Sequence, residues 1–271
     1  FVIALLLFFV LNKYQYPYFI LGVTLVSIIS FLDDIYTLSS KIRFPFQFLA
    51  VLFILIEIGL PFSPFYVFLF YLIFGAGIIN MFNFMDGING ITGMFSLAVL
   101  SGFYFINLKE RLIDDELIYY TGISLLVFGF YNFRKKALFF AGDIGSISVG
   151  MLIFFLGMLF AIKLSSPLIL LLVIVYGADT GCTILYRKFF TNESLFEAHR
   201  HHIYQKLIDN RKYSHLLVSF MYAIIQLLMN IVIYYSYRLE MYLQLVVFFG
   251  FIMLFIFIYL YLFRKLSPKS S

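Results

Sequence analysis

Long apolar runs separated by short polar loops occupy the whole chain. Ten such segments stand out, at roughly 1–11, 17–32, 45–60, 64–80, 90–107, 118–132, 145–162, 166–183, 214–236 and 240–263. A helix needs about 20 apolar residues to cross the hydrocarbon of a bilayer. The runs are too long and too continuous for the alternating strands of a transmembrane barrel. The pattern predicts an all-α, polytopic transmembrane helical bundle, with residues 1–271 forming one integral-membrane domain. The first run begins without Met or a basic flank, so it is expected to be the end of a truncated helix, with a further N-terminal helix missing upstream.

Composition agrees: 63% of the 271 residues are hydrophobic and 12% are charged, far below the charge of a soluble domain. The single Cys182 rules out an internal disulfide and a thiolate metal cluster. The net charge of +5 points to membrane lipids and not to nucleic acid, because the basic residues sit in short loops between apolar runs. Alternating the loops across the membrane puts 14 of the 19 Lys and Arg residues on one side and 5 on the other. The basic-rich side is expected to be cytoplasmic. The polar motifs all fall on that side, where nucleotide-activated substrates reside.

Four motifs carry the candidate chemistry. In FLDDIYTLSSKIRF (31–44), Asp33 and Asp34 form an adjacent pair at a helix end, costly to dehydrate unless used and suited to holding a proton. Lys41 and Arg43 fit either phosphate binding or plain anchoring at the membrane surface. In NMFNFMDGINGITG (80–93), Asn80, Asn83 and Asp86 recur every three residues, so a helix would place them on one face among apolar neighbours. In FFAGDIGSISVG (139–150), Asp143 precedes an apolar run, where it fits both an N-cap and an oxygen ligand for Mg²⁺. In SLFEAHRHHIYQKL (194–207), His199, His201 and His202 cluster with Arg200. These imidazoles lack a zinc-protease spacing, and their basic neighbour favours a diphosphate partner. If that stretch is helical, His199 and His202 share a face. Asp179 fits either a role in orienting a neighbouring group or simple solvation at a helix end.

The four motifs, in this order along nearly the whole chain, resemble the polyprenyl-phosphate N-acetylhexosamine-1-phosphate transferase family. The resemblance implies that Asp33 and Asp34 place or deprotonate the acceptor. It implies that Asn80, Asn83 and Asp86 serve the nucleotide pocket and catalysis, and that Asp143 binds Mg²⁺; the mechanism expected from these residues shares that ion, or Mn²⁺ in its place, with Asp34 or Asp86. His199, His201 and His202 match the His-x-His-His loop of the branch that initiates O-antigen, which differs from the three consecutive histidines of the phospho-MurNAc-pentapeptide branch. The implied partners are a UDP-N-acetylamino sugar and undecaprenyl phosphate, in the bacterial inner membrane with the site facing the cytoplasm; a homodimer is left open. One position departs from the pattern. Where the family has a second acid, linked to uracil recognition, this chain has Asn89, which keeps hydrogen-bonding capacity without charge. The rival readings are a metal-dependent lipid phosphatase and a cation transporter.

Overall fold

The computed structural model describes residues 1–191 and 200–266, apart from the side chain of Ser40. His199, among the expected substrate-binding residues, lies outside the described residues. The helices are α1 (Val2–Leu11), α2 (Pro17–Tyr36), α3 (Ser40–Glu57), α4 (Phe65–Met85), α5 (Ile91–Glu110) and α6 (Asp115–Asn132). They continue with α7 (Gly142–Leu164), a 3₁₀ segment Pro167–Val173 that leads into α8 (Ile174–Phe190), then α9 (Ile203–Arg211), α10 (His215–Ser236) and α11 (Met241–Leu266). The chain is an all-α, polytopic membrane bundle.

Each apolar run is mostly helical, but seven spans among the described residues are long and apolar enough to cross a membrane: α2, α4, α5, α7, the continuous Pro167–Phe190, α10 and α11. The expectation of about ten crossing segments is therefore reduced. α1 has only ten residues, α3 carries Lys41, Arg43 and Glu57, and α6 has Asp115, Glu116 and Asn132 at its ends. The short α9 was not marked by any apolar run. It is an amphipathic helix with a buried first half, and its own polar residues hide it from a hydropathy reading.

α7 is the axis of the bundle. Of its apolar span 72% is buried against other helices, compared with 6% for α11, which lies at the periphery. α7 packs on α2, α4, α5 and the 3₁₀ segment, and α5 packs closely on α10. Aromatic rings fill the interior: Phe19 stacks on Phe155 with centroids 4.4 Å apart, and Phe95 on Tyr176 at 3.5 Å. Because α7 starts where α2 and α4 end, the polar motifs at those termini are brought to one end of the bundle. The other end is closed by separate contacts: Gln15 donates to Asp114 at 2.5 Å, and Arg238 pairs with Glu110.

Candidate active site

Four helix ends meet in a cluster of carboxylates. The last turn of α2 supplies Asp33 and Asp34, the first turn of α3 supplies Arg43, the last turn of α4 supplies Asn83, and the first turn of α7 supplies Asp143. A single nitrogen of Arg43, Nη1, lies 2.7 Å from Asp33 Oδ2 and 2.7 Å from Asp143 Oδ2. Asn83 Nδ2 donates to the other oxygen of Asp143 at 2.7 Å and reaches Ser146 Oγ at 3.3 Å. Gly142 has a φ of +60°, and a Cβ there would lie 3.6 Å from Asp34 Oδ2, so the backbone passes close beside the second carboxylate. Asp34 itself is exposed. The set has three carboxylates and one guanidinium at a partly open mouth. It can hold a cation, and through Arg43 and Asn83 it can hold an anion.

Asp143 is not the N-cap of α7; Ala141 occupies that position and Asp143 lies within the first turn. Its carboxylate is turned instead to Arg43 and Asn83. The helix-face expectation for Asn80, Asn83 and Asp86 is also corrected. α4 ends at Met85, and Asp86 is its non-helical C-cap. Asn80 donates to the buried Gln47 of α3 at 2.8 Å, which ties α4 to α3 away from the carboxylates.

Asp86 opens the turn that joins α4 to α5. Burial raises its carboxyl pKa to about 6; a bond from Thr92 Oγ1 at 2.5 Å works against that rise, and the charge of Asp143 adds to it. Further along the turn, Asn89 is buried, and its amide donates to the carbonyls of Arg134 and Lys135 at 3.0 and 3.2 Å. Its backbone N–H meets His215 Nδ1 at 3.4 Å, so it braces the adjoining loop and the start of α10.

Residues 200–202 are not helical, and α9 begins at Ile203 with His202 as its N-cap; the face expected to be shared by His199 and His202 involves His199, which lies outside the described residues. His202 is buried, with Nδ1 3.3 Å from Asp179 Oδ1. His201 sits edge-on to Tyr186 at 5.8 Å. Arg200 forms a forked pair with Asp209, at 2.8 and 2.9 Å, on an exposed surface. Lys41 is exposed at the start of α3. Asp179 is 4% exposed, which excludes helix-end solvation. Its neighbours Tyr204 and Tyr222, and Thr92 beside Asp86, are not signalled by any sequence motif. A tyrosine or hydroxyl in an apolar run carries no signal of what it will face.

Asp33, Asp34 and Asp143 offer carboxylate oxygens of the kind a hard divalent cation takes, and both Asp143 oxygens here accept from Arg43 and Asn83. Among the described residues, no group of three or more His, Cys, Asp or Glu is arranged as a metal cage. Arg43 already sets a positive charge between Asp33 and Asp143. A site that completes its coordination with substrate phosphates needs only one or two carboxylates from the protein, and the cluster fits that description.

Residues 16–162 match glycosyl transferase family 4, a stretch that contains every member of the carboxylate cluster. The chain is 29% identical over 137 residues to the phospho-N-acetylmuramoyl-pentapeptide-transferase of Streptococcus gordonii, covering 49% of this chain and 40% of that protein. It is 34% identical over 83 residues to the enzyme of the same name from Thermotoga maritima, covering 31% and 27%. It is 28% identical over 209 residues to the probable undecaprenyl-phosphate N-acetylglucosaminyl 1-phosphate transferase of Bacillus subtilis, covering 69% of this chain and 56% of that one. The aligned chain thus spans about two fifths of the length of the Streptococcus gordonii relative. Relatives of two kinds match, so similarity alone does not select between them. By the match over more than half its length, the chain belongs to glycosyl transferase family 4.

Proposed function

We propose that the chain transfers an N-acetylhexosamine-1-phosphate from a UDP-sugar to undecaprenyl phosphate, releasing UMP. The observation that carries this reading is the convergence of Asp33, Arg43, Asn83 and Asp143 through bonds of 2.7 Å at one end of an apolar bundle. Such a mouth lets a polyprenyl tail stay in lipid while its phosphate meets a water-soluble nucleotide sugar. The names of the relatives from both branches support a sugar-phosphate donor and a lipid acceptor.

In this mechanism Arg43 and Asn83 hold the donor diphosphate by charge and hydrogen bonding. Asp33 and Asp34 orient the acceptor phosphate and take its proton if it arrives protonated, and Asp86 serves the nucleotide pocket and catalysis, as the family resemblance implies. An acceptor oxygen bonds to the β-phosphorus, and the bond between that phosphorus and the bridging oxygen breaks to release UMP. The sugar's C1–O bond stays intact, so the donor's anomeric configuration is retained. Asp143, with Asp34 beside it, would hold Mg²⁺ or Mn²⁺, which when bound supplies neutralising charge to the diphosphate. One diphosphate linkage replaces another, so the protein contributes mainly positioning and electrostatics.

The whole helical chain acts as one transferase domain in the bacterial inner membrane, with its mouth toward the cytoplasm, as the 14-to-5 partition of basic residues supports. The His-Arg-His-His run at 199–202 supports the branch that initiates O-antigen or a similar surface polysaccharide. Purified protein given polyprenyl phosphate, UDP-GlcNAc and Mg²⁺ tests the proposal. UMP and a lipid-diphospho-sugar are expected. Inorganic phosphate as the product would replace the reading with a lipid phosphatase.

A further inference from the structure

α9 is anchored on one side and presses on the candidate site on the other. Its anchor is Asp179 of α8. Oδ1 accepts the Ile203 N–H at 2.9 Å, and Oδ2 accepts the Tyr222 hydroxyl at 2.5 Å and the Tyr204 N–H at 3.4 Å. The Thr183 hydroxyl lies 3.4 Å away, and the His202 ring lies at 3.3 Å. A carboxylate this deeply buried is expensive unless its lone pairs are used. Here it meets the free N–H groups and positive dipole end of a helix start, the backbone arrangement best suited to receive it.

One turn of contact carries this anchorage to Asp86. Tyr204 is 1% exposed, and its hydroxyl donates to the Phe84 carbonyl at 3.3 Å. The same hydroxyl occupies the space a side chain at Gly87 would need: a Cβ there would lie 2.2 Å from Tyr204 Oη and 3.0 Å from Cζ. Only glycine lets the turn after Asp86 seat against α9.

We infer that Asp179 is a positioning residue for the proposed transfer: by fixing the first turn of α9 it sets Tyr204, and through Tyr204 the turn that carries Asp86. This rests on the proposed function for its kinetic consequence, but the contact chain itself can be read without substrate. Asp179→Asn keeps the size of the side chain. It removes the charge and turns one acceptor into a donor facing other donors.

The test combines backbone hydrogen exchange with kinetics on folded, detergent-purified protein. In Asp179→Asn, exchange is expected to speed up in 200–207 and also in 84–90. The kcat per folded molecule is expected to fall about tenfold or more, while KM for polyprenyl phosphate stays within about twofold. Tyr222→Phe removes a single bond to Asp179 and gives the same pattern with smaller amplitude, which covers the case in which Asp179→Asn does not fold. Gly87→Ala also lowers kcat, and adding Tyr204→Phe to it recovers part of the loss by removing Oη. Unchanged exchange in 84–90, with kcat per folded molecule unaltered in the Asp179 and Tyr222 variants, would reduce Asp179 to a purely structural anchor. Absence of UMP release by the unsubstituted protein would instead overturn the proposed function and leave the exchange result standing.

Discussion

Arg43 and Asp143, 100 positions apart in the chain, meet in a 2.7 Å ion pair that joins the first turn of α3 to the first turn of α7. The same Arg43 nitrogen reaches Asp33, so removing it leaves partly buried carboxylates facing one another. Arg43→Ala is expected to lower transfer more than tenfold and to cost about 1–3 kcal/mol of stability, between the values for exposed and buried pairs. Arg43→Lys restores stability better than activity, because an ammonium keeps the charge and loses the planar fork. Thermal unfolding in detergent alongside UMP release checks both.

Asn83 and Asp143 are expected to act as a unit, since one donates directly to the other. Asp143→Asn should reduce kcat by about a hundredfold or more, and Asn83→Ala by less. The double variant should fall well short of the product of the two effects. Chelation should abolish activity in the unsubstituted protein, and Mg²⁺ or Mn²⁺ should restore it. Asp143→Asn should shift the Mg²⁺ requirement upward. Full activity in Asp143→Asn would remove Asp143 from the metal-binding role.

Asp86 makes the pH dependence of stability testable. Its carboxyl titrates at about 6 in the folded protein and near 3.9 when unfolded, so the fold binds this proton more tightly than the unfolded chain does. The resulting stabilisation is complete below about pH 4 and is lost as pH rises through about 6, an effect of about 2–3 kcal/mol. Asp86→Asn should therefore raise Tm at pH 7.5, leave it nearly unchanged at pH 4, and abolish transfer. Thr92→Ala removes a bond that favours the carboxylate, so the acid limb of the pH–rate profile should move upward. Tm of metal-free protein across pH, and kcat across the same range, measure these effects.

The forked pair of Arg200 with Asp209 lies on an exposed surface of α9. Exposed pairs contribute about 0–1 kcal/mol. Arg200→Ala is expected to change stability by no more than about 1 kcal/mol, read as a small shift in Tm. A loss of UDP-sugar affinity larger than this pair accounts for would show that Arg200 leaves Asp209 to bind the donor, readable as a rise in KM at unchanged kcat.

The bundle and the gathering of its polar motifs at one end are legible in the sequence, because apolar runs report on burial and their alternation on which loops share an end. Which polar group meets which is not legible there. Arg43 beside an apolar run has the same signature whether it anchors in headgroups or bridges two aspartates. Asn80 and Asn83 look equivalent at a spacing of three, yet one turns to Gln47 and the other to Asp143. Asp179 fits an orienting role and a solvated helix end alike in the sequence, because its partners, His202 and Tyr222, come 23 and 43 residues later. α9 has no signature in apolar periodicity because it is held by docking on α10 and α11 and by hydrogen bonds to Asp179 of α8 rather than by its own composition.

The most direct measurement follows a UDP-sugar radiolabelled on its β-phosphate, supplied with undecaprenyl phosphate and Mg²⁺. Transfer of a sugar-1-phosphate moves the label into the lipid fraction in step with UMP release, and Asp143→Asn lowers the rate of both about a hundredfold or more. Label that stays with the nucleotide as UDP would mean transfer of the sugar alone. Label that appears as inorganic phosphate would mean hydrolysis, and either result contradicts the account.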